Sequence, residues 1–420
     1  QNQAPPTQKP AAPPQNQVPP GQAKPSQPPV QQAIPSFAQP EIPPAPPKRT
    51  FTIFHQIAWR TNSYKFSDAE PDTAFYQKFL VDSRGLRHFL ETKKLENTFK
   101  LQTFKLRQTE ENGQRRVGEG DLLEVGLVHA IHFVDQEPVD TQALHNLFLT
   151  GKLNFSVKER LRFQTYAHLA IGNNAGDYRL GGELFLNFKK LGNLRAAVVN
   201  QLYSPTLLQH RFFVSQREVW KNDFQRTLET SLSGTYSLPS FHFSVTGQYH
   251  LASNRVYFDT AAMPRQSGAF SIVQLIVRKD FHLSPLHLEN WIGLQEVTSE
   301  VLPLPRFYSK HSLYLEGKIF KKAMLARLGL DARLASGYLP PAYHPLTGQF
   351  YLQTEQTLPF TPLLDAFLNF KVKTFRFFFK VENVLPFLTG DYYFQTADYP
   401  LAYGFGNGGL RMGISWRLVD

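Results

Sequence analysis

The chain has 420 residues, a hydrophobic fraction of 42% and a formal net charge of +11. This hydrophobic content is too high for a disordered protein, and the length suffices for two ordinary domains or one large one. The absence of cysteine excludes disulfides, thiolate metal sites and a cysteine nucleophile, but it does not fix the compartment. The positive charge leaves nucleic acids and anionic surfaces open as partners.

Residues 1–48 differ in composition from the rest of the chain, because they hold 16 of the 31 prolines and 10 glutamines. Such a segment cannot bury enough apolar surface to offset the entropy lost on ordering. We predict a disordered Pro/Gln-rich tail or linker over 1–48 and one folded domain over 49–420. A PxxP docking motif in the tail is the alternative to a plain linker.

Beyond residue 49 apolar side chains recur at every second position, which indicates β-strands. The alternation is clearest in LRFQTYAHLAI (161–171), FHFSVTGQYHL (241–251), LARLGLDARLA (325–335) and GGLRMGISWRLVD (408–420). Residues 368–372 are apolar at even positions and residues 377–381 at odd positions, so a hairpin turns near Thr374. Phe378, on the polar side of that hairpin, does not fit the pattern. The longest uncharged stretch outside the tail, 334–354, contains three prolines and cannot be a membrane-spanning helix.

The connections alternate between short and long, which gives about 16 strands. Short turns are predicted near 158–160, 190–193, 238–240, 279–285, 321–322 and 374. Long connections are predicted near 61–87, 134–145, 203–223, 252–267, 297–308, 336–362 and 385–407. Two segments fit less well, since 107–121 is long where a short turn is due and 172–178 is short where a long one is due. The pattern predicts an all-β protein, a transmembrane antiparallel up-and-down β-barrel with an apolar outer face and a polar lumen. About 16 strands make a barrel wide enough for an aqueous channel.

Ordered stretches over most of residues 87–420 resemble one known family. They are GLRHFLETKKLENTF, GNNAGDYRLGGEL, NRVYFDTAAMPRQ, VLPLPRFYSKHSLYLEG, YHPLTGQFYLQ, DAFLNFKVKTFRFFFKVENV, DYYFQTADYPLAYG and GLRMGISWRLVD. On these the chain resembles the "putative porin" family of Bacteroidota outer-membrane β-barrels. The resemblance implies an integral protein of a Gram-negative outer membrane, with an expectation of pore activity. The Pro/Gln tail replaces most of the N-terminal part of longer members.

Charged side chains and histidines on the polar faces of these strands are the candidate pore-lining residues. They are Arg162, His168, Arg195, His242, His250, Arg327, Asp331, Arg333, Lys371, Arg376, Lys380, Glu382, Arg411 and Arg417. Because like charges in a pore select counter-ions, the basic excess predicts a mild preference for anions. The alternative is that these cations lie near turns, where they contact lipid phosphates or water at the rim.

No pattern of residues indicates catalysis, a cofactor or a metal. Ser244 and His242 could touch on one strand, but no G-x-S-x-G elbow accompanies them. The GFGNGG stretch at 404–409 lacks the helix that dinucleotide binding requires, and the dispersed histidines form no H-E-x-x-H motif. We therefore expect no enzymatic activity, and the absence of a reader motif also argues against nucleic-acid binding.

Two functions remain open. The first is a porin-like channel for passive diffusion of small hydrophilic solutes, narrowed by an inward-folded loop at 336–362 or 203–223. The second is a barrel plugged by its loops that serves as a structural, assembly or secretion partner in the outer membrane. In that case a periplasmic tail over 1–48 would contact a periplasmic or outer-membrane protein. Outer-membrane lipid is an expected partner in both cases.

Overall fold

The computed structural model describes residues 49–79, 85–111, 114–157, 160–385, 394–396, 399–400 and 409–416. The predicted tail over 1–48 and the candidate residue Arg417 lie outside these ranges. In chain order the strands are β1 (Arg49–Asp68), β2 (Leu86–Glu111), β3 (Gln114–Gln136), β4 (Val139–Val157), β5 (Leu161–Ala170), β6 (Tyr178–Asn187), β7 (Asn193–Tyr203), β8 (Arg211–Val214), β9 (Arg217–Lys221), β10 (Thr227–Leu238), β11 (Phe243–Ser253), β12 (Val256–Phe258), β13 (Pro264–Gln266), β14 (Phe270–Leu283), β15 (Leu286–Val297), β16 (Phe307–Ile319), β17 (Met324–Ala335), β18 (Ala342–His344), β19 (Gln349–Tyr351), β20 (Thr361–Val372), β21 (Phe375–Val381), β22 (Phe394–Thr396), β23 (Tyr399–Pro400) and β24 (Leu410–Trp416).

Sixteen of these strands form one antiparallel sheet, which confirms the predicted number and the up-and-down order. The sheet order is β1-β2-β3-β4-β5-β6-β7-β10-β11-β14-β15-β16-β17-β20-β21-β24, and each strand pairs with its neighbours in this order. The other eight strands form four small hairpins in the connections. Among the described residues no pairing joins β1 to β24.

Helices are few and short. The helix α1 (Leu207–His210) begins with a capping box at Thr206, and two 3₁₀ turns span Lys189–Leu191 and Pro239–Phe241. In the part of the chain that the structure describes, no helix has the length and apolarity needed to cross a membrane.

Each sheet strand has one apolar and one polar face. Large side chains exposed on the apolar face include Ile53, Leu101, Val125, Leu153, Phe163, Leu180, Val198, Leu232, Tyr249, Leu275, Leu294, Leu313, Leu328, Val372 and Met412. The polar face carries Lys100, Glu124, Lys152, Arg162, Glu183, Arg195, Glu229, Gln248, Arg278, Glu289, Lys310, Arg327, Asp365, Lys380 and Arg411. Soluble monomers rarely expose so continuous an apolar surface, whereas lipid hydrocarbon accommodates it without the cost of exposing it to water.

The first four strands are longer than the sequence predicts. They have 20, 26, 23 and 19 residues, against about ten for a typical transmembrane strand. The long connection predicted at 134–145 is wrong, because β3 runs to Gln136 and β4 begins at Val139. The irregular segment 107–121 is likewise strand, apart from a break between Glu111 and Gln114. Where a strand extends past the apolar band both faces meet water, so the alternation disappears and the sequence reads as a loop.

The remaining long connections follow β1, β7, β11, β15, β17 and β21. Short turns follow β6, β10, β14, β16 and β20, at the opposite edge of the sheet. Because the strand count is even, β1 begins and β24 ends at the short-turn edge. Residue 49, where the predicted tail would join the sheet, is therefore at this edge.

Aromatic rings on the polar face cover glycines on the neighbouring strand, and this explains Phe378. In the strand register Phe378 faces Gly413, and a Cβ added at Gly413 would lie 2.3 Å from the Phe378 ring atom Cε1. The same arrangement pairs Tyr166 with Gly181, Tyr308 with Gly293 and Phe367 with Gly329. Each ring covers backbone that has no side chain of its own, which fixes the strand register.

Candidate functional site

Most of the predicted pore-lining side chains lie on the polar face. These are Arg162, His168, Arg195, His250, Arg327, Asp331, Arg333, Lys371, Arg376, Lys380 and Arg411. Glu382 follows the last residue of β21, and its Oε2 is 2.9 Å from Nε of Arg411. The role of these residues in a pore remains a prediction.

His242 is not on a strand, contrary to the prediction. It ends the Pro239–Phe241 3₁₀ turn with a φ of 48°, and β11 begins at the next residue. The proline starts the turn, so the apparent alternation before Phe243 is a coincidence of spacing. The His242 ring instead packs against His282, with 4.5 Å between ring centroids.

Carboxylates neutralise much of the basic excess on the polar face. Glu183 pairs with Arg195 at 3.0 Å, Glu124 with Lys100 at 3.0 Å, and Glu316 with Arg327. The pore-lining residues predicted from the sequence include only two acids, Asp331 and Glu382, and several others were missed. The missed acids are Glu96, Glu124, Glu229, Asp280, Glu289, Glu316 and Asp365. Alternation within each strand would have placed them on the polar face, although their partners depend on the register.

The most buried of these charges is Asp365 on β20, whose side chain is 0% exposed. Its carboxylate lies 3.1 Å from Nη2 of Arg333 and 2.8 Å from Nζ of Lys380, and it accepts a hydrogen bond of 2.8 Å from the Asn383 backbone N–H. Asp331 lies directly opposite Asp365 in the register, and Lys380 Nζ is 3.4 Å from it. Lys380 thus bridges two carboxylates that would otherwise repel each other.

Several cations on the polar face have no carboxylate partner among the described residues. They are Arg60, Lys152, Arg162, Arg179, Lys310, Lys318, Lys371 and Arg376, and all of them are exposed. Lys371 and Arg376 lie opposite each other near the short-turn edge, and Lys318 lies two strands away in the same row. Three of the unpaired cations therefore form a group near the short-turn edge, while Lys310 lies apart from this group.

A cavity of about 750 Å³ opens on the polar face of β14–β17 and β20. Charged and aromatic side chains line it, among them Arg278, Trp291, Tyr308, Lys310 and Arg333. A larger depression of about 1030 Å³ lies mainly along the apolar face, where small residues such as Gly182 and Gly234 leave room between apolar side chains. That depression meets lipid rather than solute, so the first cavity is the candidate solute site.

Four long connections pack into one buried cluster, which we call the loop core. It contains Tyr76, Phe79, Leu86, Phe212, Val214, Trp220, Phe258, Ala262 and Leu346. The rings of Phe212 and Trp220 stack with centroids 4.4 Å apart, and Trp220 meets Phe258 at 6.2 Å. The backbone N–H of Leu352 donates a hydrogen bond of 2.9 Å to the Phe258 carbonyl. Segments 204–226 and 336–360, which include most of both predicted constriction loops, contribute to this core.

The loop core rests on the polar face of β1 and β2. The imidazole Nδ1 of His88 is 3.0 Å from the Phe213 carbonyl oxygen, and the His88 ring packs on Phe212 at 4.5 Å. The Ser215 backbone N–H donates a 2.8 Å hydrogen bond to the Arg87 carbonyl, and the Tyr64 hydroxyl donates one to Pro345. The connection that joins the seventh and eighth strands of the sheet therefore contacts the second strand, and the connection after β17 contacts the first.

Among the described residues, no three His, Asp or Glu side chains are grouped as a metal site would require.

A family model described as "Putative porin" matches residues 45–420. The chain belongs to this family. No curated protein matches the sequence. The family and the fold together make this an outer-membrane β-barrel, as the sequence predicts.

Two solved outer-membrane structures share the fold. The copper transporter OprC has a TM-score of 0.58 at 10% identity, covering 87% of this chain and 62% of that one. A mutant of the ferric enterobactin receptor of Pseudomonas aeruginosa, in complex with enterobactin, has a TM-score of 0.51 at 10% identity, covering 86% and 62%. This chain thus spans about three fifths of their length, and at such identity the likeness shows the fold alone.

Proposed function

We propose that this porin-family barrel is a channel for passive diffusion of small hydrophilic solutes, with its mouth covered by the loop core. A continuous polar face opposite an apolar one supports an aqueous lumen. In a closed barrel of sixteen strands, the seventh and eighth strands lie on the side of the barrel away from the first two. A loop from β7 that contacts the polar face of β2 therefore runs across the lumen.

The unpaired cations support a mild preference for anions. Cations without a carboxylate partner carry the excess, and Lys318, Lys371 and Arg376 form one group of them. They lie near the short-turn edge, which faces the periplasm in bacterial outer-membrane barrels. The tail over 1–48, joined to β1 at this edge, would then lie in the periplasm.

The observation that favours a second function is the loop core itself, since loops that cross the lumen could close it. The barrel would then be a structural or assembly partner that acts through residues 1–48. Deleting these residues leaves the conductance of a channel unchanged, whereas a scaffold loses its co-purifying protein.

The test is single-channel conductance of the refolded full chain in a planar bilayer, under a salt gradient. The expected result is discrete steps with a reversal potential that favours anions. The double variant Phe212→Ala/Trp220→Ala should raise the conductance, because it removes stacked rings from the loop core. Phe350→Ala is the matched control, because Phe350 lies in a connection that contributes to the loop core but its side chain is exposed. If neither the folded wild-type barrel nor the folded double variant conducts, the channel proposal is wrong and the role as a structural or assembly partner is favoured.

A further inference from the structure

The 750 Å³ cavity lies on the lumen side, below the connection between β17 and β20. Two residues of that connection, Tyr338 and Leu358, line it and pair with each other through backbone hydrogen bonds of 3.0 and 2.9 Å. The volume falls within the range of about 300–1,000 Å³ typical of small-molecule sites. The site is thus enclosed by strands on one side and by a loop on the other.

One row of the strand register supplies the cationic side of the cavity. Arg278, Trp291, Lys310 and Arg333 follow one another across β14 to β17. Arg333 is paired with Asp365 at 3.1 Å, and Arg278 is 3.6 Å from Asp280. Lys310, between them, has no ion-pair or hydrogen-bond partner among the described residues. The cavity therefore presents one uncompensated positive charge at its centre.

The aromatic side of the cavity is held in place by packing. The Trp291 ring lies 4.8 Å from the Tyr308 ring, centroid to centroid. Tyr308 in turn covers Gly293, where an added Cβ would be 2.4 Å from its ring. Aromatic rings held rigidly in this way pack better against the apolar face of a ring in a bound molecule than against a flexible chain.

The next row of the register supplies hydrogen-bond acceptors. Asp280 and Glu289 lie opposite each other, beside Ser312. Oδ1 of Asp280 is buried and has no hydrogen-bond donor among the described residues, while Glu289 accepts one from the Tyr314 hydroxyl at 3.0 Å. Carboxylates near an aromatic platform can accept hydrogen bonds from the hydroxyl groups of a bound ring.

We propose that this cavity binds an acidic sugar, a hydroxylated ring that carries one carboxylate or phosphate. The anionic group meets Lys310, the ring face packs on Trp291, and the hydroxyls donate to Asp280 and Glu289. The inference rests on the proposed channel in that it names a solute class for its lumen.

The experiment is calorimetric titration of the refolded full chain in detergent, with glucuronate as the probe. Glucose and acetate are the comparison ligands, because glucose lacks the charge and acetate lacks the ring. Glucuronate should bind at least about tenfold more tightly than either, as expected for a charge-assisted hydrogen bond added to ring packing. Equal affinities for glucuronate and glucose, or no binding by folded barrel, would overturn the proposal.

Lys310→Met should reduce glucuronate binding to the level of glucose. Lys318→Met is the matched control, since Lys318 is also an unpaired lysine on the polar face of β16 but lies outside the cavity. Equal losses in the two variants would mean a general charge effect and would overturn the site. Conduction without glucuronate binding would support the proposed channel and overturn the proposed site. Glucuronate binding without conduction would support the site and overturn the channel.

Discussion

At the scale of single residues, Asp365 shows how a charge can be kept inside the barrel wall. A carboxylate withdrawn from water is tolerated only when opposite charges and hydrogen bonds replace its hydration. Arg333, Lys380 and the Asn383 backbone N–H do so, and they come from neighbouring strands or the following loop. The cluster therefore ties β17, β20 and β21 together and is a structural element of the wall.

Asp365→Asn should destabilise the barrel strongly. The amide keeps the shape of the carboxylate, but it removes the charge that Arg333 and Lys380 share and leaves Lys380 with Asp331 alone. Losing hydrogen bonds to a charged group costs about 1.5–3 kcal/mol. The measurement is the urea midpoint of the refolded barrel.

Glu183→Gln is the matched control for that substitution. Its partner Arg195 is 3.0 Å away, but the pair is substantially exposed, at 33% and 59%. Exposed pairs contribute between about zero and 1 kcal/mol, so its urea midpoint should barely move. If the two variants shift equally, Asp365 is not the buried anchor described above.

At the scale of strands, the pairing of aromatic rings with glycines fixes the position of β24. Gly413→Ala should destabilise the barrel by about 1–2 kcal/mol, because the new methyl group would displace the Phe378 ring. In a Phe378→Ala background the same change should cost little, so a double-mutant cycle should show a coupling above about 0.5 kcal/mol. Urea midpoints of the four chains measure it.

Gly234→Ala on β10 is the control for this cycle, since nothing lies within 4 Å of an added Cβ there. It should be neutral or slightly stabilising, because alanine loses less backbone entropy than glycine. Additive effects of Gly413→Ala and Phe378→Ala would contradict a role for the ring in covering the glycine.

Beside the loop core, and packed against two of its residues, lies His344, which is 2% exposed. Its ring stacks on Phe75 at 5.4 Å and lies 4.7 Å from Phe79. Burial lowers the pKa of His344 from its ordinary value of 6.5 to about 4. The titratable neighbours Tyr76 and Tyr351 are phenols, which stay neutral in this range.

Acid should therefore loosen the loop core. The neutral imidazole is favoured when the loops are packed, so its stabilising effect is complete above pH 6.5. It declines as the pH falls from 6.5 and is lost near pH 4, a loss on the order of 3 kcal/mol. The emission of Trp220, in a chain whose other three tryptophans are phenylalanine, should shift to the red over this range. His344→Phe should abolish the shift, and its persistence in that variant would assign the effect to another group.

The sequence predicts the strands well wherever one face meets lipid, as in the hairpin at 368–381, because only there does polarity alternate strictly. It fails for the extensions of β1 to β4, where both faces are solvated. It also places side chains on a face without giving their partners. The pairing of Asp365 with Arg333 and the bridge through Lys380 depend on the register between strands, which no local pattern encodes.

At the scale of the whole barrel, the distribution of charge separates the two explanations of the basic excess. Lys371 and Arg376 lie on the lumen face near the short-turn edge, whereas Lys321 and Lys322 lie in the turn after β16, beyond the strands. Both pairs are exposed and have no carboxylate partner among the described residues. If the lumen selects anions, the ion selectivity depends on Lys371 and Arg376. If the cations only bind water or phosphates at the rim, the ion selectivity depends on neither pair.

The double variant Lys371→Glu/Arg376→Glu should move the reversal potential toward cations, because it reverses the sign of two opposed charges on the lumen face. The repulsion between the two side chains is the same in both chains, so only the sign of the charge differs. Lys321→Glu/Lys322→Glu changes the same charge at the same edge and should leave the reversal potential near its wild-type value. Since exposed charges are screened within about 8 Å at physiological salt, the lumen pair acts on permeating ions and the turn pair does not. An equal shift in both variants would make selectivity a property of the rim, and no shift in either would assign it to cations deeper in the barrel.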